Sequence, residues 1–555
     1  MATRRTLLKT GSAGLLTSLF SPWSFGHTVT TLLGATKKPQ RFALPMPNPL
    51  DPARLFAPDT AGGSTYTLKI SEFQAALGLV DPATGQAATT TLWGYGSRSQ
   101  PPSYPGRTFN LRRGVPVSVR YANELKTEAG RLPYRLPVTT AACSVDNSQE
   151  AGHLWYRDHA PGVTRPNADM GLAGHYFIRD SNEDCLVHAG QLPAWPYELP
   201  VCIQDRRFTT AGEIVDPATD PAHLPESVGD VIVANGVPWP RFDCEARLYR
   251  LRLLNGSDSR VYTLRLALEN FMGVSLKFWQ IGTDLGLMDS PVALTSLTLA
   301  PGERADILVD FSKVVWWWHG KVIVMNSAAT PFPNGLPPLA GSTDRVMAFS
   351  VIKPSGFAGA SLAGLAGTSL PTNLRPVHGP LPQPDLAAAT VRKLMLFEGS
   401  DADGRLQTLL GTVNPAPGNP PAPGFGTFMY ADPVTEHIAA GRTEIWEIHN
   451  TTADAHPIHL HRVAFRILDR QPFSGALVPK PMGDGASGGY LTEVALSGTP
   501  TAAPAHEQGR KDTVLALPGE VTRIVATFDR PGEYVWHGPI LSHDDRATMR
   551  RVIVA

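Results

Sequence analysis

From Thr65 onward the chain runs in short stretches of alternating apolar and polar residues, broken by Gly, Pro, Asn and Asp. Thr65–Ile70, Val115–Tyr121, Val231–Ala234, Leu248–Leu254, Arg304–Phe311 and Val521–Phe528 are examples. A period of two puts every second side chain on one face, so these runs predict half-buried strands. Frequent turn signals between them predict an all-β protein of β-sandwich domains. Stretches with the period of an amphipathic helix are few. Leu299-Ala300-Pro301-Gly302-Glu303-Arg304 and Leu517-Pro518-Gly519-Glu520-Val521-Thr522 each lead into such a run, which hints at related domains. Residues 356–387 are rich in Gly, Ala, Ser and Pro and read as a linker. Domains are expected at 40–185, 190–355 and 388–555, behind a Pro-rich arm from Pro39 to Thr60.

Composition changes this picture little. Gly and Pro, at 51 each in 555 residues, are enriched as many short strands and turns require. Forty-nine basic and 49 acidic residues cancel, which gives no electrostatic reason to expect nucleic acid or an anionic membrane as partner. The N-terminus adds more. Thr3-Arg4-Arg5-Thr6-Leu7-Leu8-Lys9 and the modest apolar run to Phe20 read as a twin-arginine (Tat) export signal, placed at residues 1–35. A periplasmic or secreted location follows. No later apolar run reaches the roughly 18 residues that span a bilayer. In an exported chain Cys143, Cys185, Cys202 and Cys244 allow up to two disulfides, with three pairings open; buried free thiols are the alternative.

The chemistry lies in the histidines. His456-Pro457-Ile458-His459-Leu460-His461 places His459 and His461 on one face of an extended strand, an arrangement suited to clamping a metal. His537 and His543 follow near the end, and Trp155-Tyr156-Arg157-Asp158-His159 lies far upstream. His153 shares strand parity with Arg157 and His159, and His175 lies in the next strand-like phrase; both are expected at the surface. The run Trp316-Trp317-Trp318-His319 is expected to turn at least one Trp to a domain interface or solvent.

The sequence resembles the multicopper oxidases of the spore-coat laccase, bilirubin oxidase and phenoxazinone synthase type. The resemblance rests on Leu154–Asp180, Gly229–Leu266, Gly282–Phe311, Thr443–Phe473 and Lys511–Ala555. It implies three consecutive cupredoxin-like β-sandwich domains, a type 1 copper held by a Cys thiolate and two His, and a trinuclear copper cluster held by eight His. Carried over to this chain, the type 1 ligands His456 and His543 remain, Gly538 takes the Cys position and Thr548 that of the axial Met. No Cys follows Cys244 at all. In the middle motif Arg157 replaces a cluster His, and the first His motif is missing, because no His occurs between the signal and His153. Four cluster positions remain: His159, His459, His461 and His537.

The resemblance assigns His159, His461 and His537 to one former type 3 copper and His459 to the neighbouring type 2 site. These expectations follow: one ion, copper before zinc, or none; Asp544 as proton donor; Asp454 and Asp158 as residues that orient the ligands. The Arg157 charge would oppose a second metal or attract an anionic substrate group. The chain is then expected to be a single-metal oxidoreductase acting on a small organic substrate. The alternative is a copper-free scaffold that binds a partner protein in the cell envelope.

Overall fold

The computed structural model describes residues 39–555, apart from 82–83, 126–139, 160–161, 216–225, 315–318, 353–369, 414–423, 484 and 545–547. The side chains of residues 140, 141 and 544 are also outside the description. The export signal and Trp316–Trp318 therefore lie outside the described residues.

The strands form three sandwiches in chain order. The first joins a four-stranded sheet, which contains Thr65–Ala75 and Val117–Asn123, to a three-stranded sheet of Gly106–Arg112, Ala173–Arg179 and Gly152–Arg157. The second pairs a seven-stranded with a six-stranded sheet, and the third an eight-stranded with a five-stranded sheet. Alternation explains how each closes. Tyr66, Leu68 and Ile70 from one sheet meet Phe109, Leu111, Tyr176 and Ile178 from the other to form the first core. Trp446, Ile448, Ile524 and Phe465 likewise meet Ile458, Leu460, Val514 and Trp536 in the third.

The predicted strands are found as Thr65–Ala75, Val117–Asn123, Val231–Ala234, Leu248–Asn255, Arg304–Asp310 and Glu520–Phe528. The two Pro-Gly phrases are the turns before the last two of these. Gly302 and Gly519 adopt φ of +81° and +70°, which a side chain would strain. One strand departs from alternation: Leu248–Asn255 is buried along its whole length, Arg250 and Arg252 included. Their charges are matched across the first and second sandwiches. Arg250 contacts Glu183 at 2.6 Å and Asp306 at 2.6 Å, and Arg252 contacts Glu198 at 2.8 Å.

The part of the expected linker that is described is pinned down. Leu374 is buried with Leu186, Ile281, Leu287 and Leu308, and Arg375 forks onto Glu150 at 2.7 and 3.1 Å. Among the described residues no helix is long and apolar enough to cross a membrane.

The expected disulfides are absent: all four cysteines are free. Cys202 and Cys244 are buried in the second sandwich, while Cys143 and Cys185 are exposed in the first. Burial pushes the Cys202 thiol up to about 12. We therefore expect alkylation of the native protein to label Cys143 and Cys185, and alkylation after denaturation without reductant to label all four. Fewer than four under denaturing conditions would contradict this arrangement.

Candidate metal centre

Strand register gathers the third-domain histidines. His456–Leu460 pairs antiparallel with Gly532–His537, so that His459 lies opposite His537 and Leu460 opposite Trp536. The His461 N–H donates to the Val535 carbonyl at 3.0 Å, which extends the pairing past the strand end. With side chains alternating, His459, His461 and His537 share one face. His159 arrives from the first sandwich, on the loop that follows Gly152–Arg157. That loop is held by Asn167, which donates to the Asp158 carboxylate at 2.8 Å, and by the Asp158 N–H on the Leu172 carbonyl.

His461 Nε2 lies 3.0 Å and His159 Nε2 lies 3.4 Å from His537 Nε2. One ring nitrogen from each of the three falls within 4.8 Å of the others. Metal–nitrogen bonds of about 2.0–2.1 Å at tetrahedral angles put donors roughly 3.3–3.4 Å apart, so the spacing suits one ion. The ring of His459 is adjacent, with its centroid 4.8 Å from that of His461. His459 Nδ1 contacts the Asp512 carbonyl at 2.8 Å, and His537 Nδ1 contacts the Gly538 carbonyl at 3.2 Å. If both Nδ1 atoms carry the proton and donate, each Nε2 presents its lone pair as a possible metal ligand. The His461 imidazole is held well below its usual pKa, first by burial, then by His459, His537, His159 and the Arg157 charge. Arg157 itself donates to the Asp158 carbonyl and lies with its guanidinium 5.5 Å from the Trp155 ring centre.

The remaining expected residues lie elsewhere. His456 and His543 are buried with ring centres 5.6 Å apart. Glu398 lies 3.3 Å from His456, and Glu226 lies 3.6 Å from His543. Gly538 N–H donates to Thr548, and a Cβ at Gly538 would sit 3.1 Å from the Thr548 methyl. The Thr548 hydroxyl is spent on the Thr408 carbonyl at 2.8 Å. Asp454 acts electrostatically on His456. Burial pushes the Glu226 carboxyl up to about 8, with Asp454, Glu398 and Asp258 adding to the shift and His456 opposing it. Asp544 ends the helix Leu541–Asp544, and its side chain lies outside the described residues. His153 and His175 are not at the surface. Both are buried, 2.9 Å apart, with Phe177 stacked beside them.

Sequence reasoning missed the residues that back the site. Arg304 grips the Asp512 carboxylate at 2.7 and 2.6 Å and donates to the His153 carbonyl at 3.0 Å. Lys511 pairs with Asp284 and Glu303 alongside.

Three cupredoxin-like sandwiches, with histidines gathered where the first meets the third, define a copper-oxidase class of fold. Comparison agrees. The multicopper oxidase family matches residues 407–555. The laccase of Bacillus stratosphericus is 36% identical over 418 residues, covering 73% of this chain and 71% of that protein. The laccase of Bacillus subtilis (strain 168) is 36% identical over 415 residues, also covering 73% and 71%. The multi-copper oxidase structure from Pediococcus acidilactici superposes with a TM-score of 0.67 at 22% identity over 94% of this chain and 93% of that one, a likeness of fold. The chain belongs to the multicopper oxidase family.

The Arg304 clamp has a measurable consequence. Arg304→Ala would leave the buried Asp512 carboxylate without its fork and is expected to cost about 3–5 kcal/mol in urea unfolding. A change below about 1 kcal/mol would show that the pair is not a clamp.

Proposed function

We propose that this chain is an exported member of the family that works with a single metal ion at His159, His461 and His537 on a small organic substrate, and is not a four-copper laccase. One observation carries the reading: three imidazole nitrogens converge in a chain with no cysteine after Cys244. Imidazole donors suit copper first and zinc second, and three of them leave a position open. A bound ion would supply Lewis-acid or redox chemistry at that position.

The donors fit one ion and do not fit four. A blue centre needs a thiolate between His456 and His543, and Gly538 stands at that position. Arg157 stands where a further cluster ligand would be. The chain's own residues then divide the remaining work. Asp512 and Thr513 hold the His459 ring, and Asp158 holds the loop that presents His159. Arg157 would draw an anionic group of the substrate toward the histidines. Arg4 and Arg5 support export by the Tat route to the periplasm or beyond.

A second reading is a copper-free scaffold that binds a partner protein in the cell envelope. The Arg157 charge acting on His461 favours it, since a fixed cation opposes a bound metal ion. Metal analysis of the exported protein separates the two. The single-metal reading expects about one copper per chain, lost in His461→Ala. No metal at any occupancy, with unfolding unchanged by chelator, would support the scaffold. Reduction of dioxygen to water at laccase rates would contradict both.

A further inference from the structure

Two imidazoles are buried where the first sandwich meets the second. His153 lies on Gly152–Arg157 and His175 on Ala173–Arg179, and these strands pair antiparallel with His153 opposite Phe177. His153 Nε2 and His175 Nδ1 are 2.9 Å apart, and the Phe177 ring stacks with both. The second sandwich closes over this group from several elements. Arg304, on Arg304–Asp310, donates to the His153 carbonyl at 3.0 Å. Arg252, on Leu248–Asn255, lies 4.9 Å from the Phe177 ring centre, and Asn235 faces His175.

The surroundings leave little room for a further positive charge. Arg252, Arg304 and Arg179 act on His153, and Arg252 on His175. The carboxylates of the junction are already committed to arginines. Glu198 contacts Arg252 and Arg179, each at 2.8 Å, while Glu183 takes Arg250 and Arg179, and Asp306 takes Arg250. Asn235 works the other way on His175, but its amide is also committed, to the Cys202 N–H and to the Pro47 and Pro200 carbonyls. His153 Nδ1 has no hydrogen-bond partner among the described residues. Two neutral rings share one proton across the 2.9 Å contact. One extra proton sets a charge among the guanidiniums, and a second sets N–H against N–H.

We propose that the His153–His175 pair is an acid-operated latch, which holds the first sandwich against the second while both rings are neutral and opens that joint on taking up protons. The titration agrees in sign. Burial first, then His175 and the arginines, hold the His153 imidazole well below the ordinary 6.5, and burial holds His175 down to about 4. Both closed-state values lie under that of an exposed imidazole, so the open joint binds more protons. The closed form is therefore fully favoured above the ordinary value and is lost as pH falls through the window below it.

The test is hydroxyl-radical footprinting of the full chain at about pH 7.5 and about pH 5, read by mass spectrometry, because each proton taken up shifts the opening about tenfold per pH unit. Phe177 reports the joint, and Phe311, equally buried in the second-sandwich core, is the internal reference. Oxidation of Phe177 is expected to rise at least about fivefold relative to Phe311 at the lower pH. In His153→Gln with His175→Asn, the amides can keep one hydrogen bond and take no proton, so that rise is expected to disappear. The wild-type comparison needs no variant. Three outcomes would overturn the proposal: no rise at Phe177, an equal rise at Phe311, or the same selective rise in the folded double variant.

Discussion

The guanidinium of Arg304 touches all three sandwiches, as does that of Arg510. Arg304 sits on a strand of the second, donates to the His153 carbonyl of the first, and forks onto the Asp512 carboxylate of the third. Asp512 in turn holds His459 by its backbone carbonyl. The ligand cluster is therefore not a property of any one sandwich. It depends on how the first and third meet, where the Arg304–Asp512 pair ties the second sandwich to the third and the Arg510–Glu150 pair ties the third to the first, and that meeting places His159 against His461 and His537. Lys511, Asp284 and Glu303 surround the Arg304–Asp512 pair, so the charges at the junction are compensated from several sides.

The same logic separates what survives from what changed. Strand pairing fixes His459, His461 and His537 relative to one another. In the proposed reading, Gly538 stands where the family resemblance sets the one sulfur side chain of a blue copper. With glycine there, the Thr548 methyl and the two glutamates occupy the surroundings of His456 and His543. Removing the softest donor alters the chemistry of a site more than removing one imidazole of several.

The fold was legible because period-two alternation is a local signal. Val231–Ala234 was readable to the residue, and the two Pro-Gly turns could be matched from their wording alone. The shared face of His459 and His461 was legible for the same reason. His159 and His537 reached the trio only through family resemblance, since nothing local ties a first-sandwich loop to the last strand. Arg304, Asp512, Glu226 and Glu398 were not legible, because their partners lie far away in sequence and no motif marks them. The surface placement of His153 and His175 failed because parity ignores the neighbouring strand. Sheet pairing sets His175 opposite Trp155 and His153 opposite Phe177, and the two rings hydrogen-bond on the buried face. Disulfides failed because an oxidising compartment permits a bridge but does not place two thiols within reach.

The central claim is that imidazoles without sulfur define the copper chemistry of this chain. Visible absorption and electron paramagnetic resonance of the protein loaded with one equivalent of Cu²⁺ test it most directly. The account predicts a pale protein whose spectrum shows nitrogen hyperfine structure from imidazole ligands and no intense thiolate-to-copper band. An intense blue band, or a copper signal unaffected by His461→Ala, would contradict it.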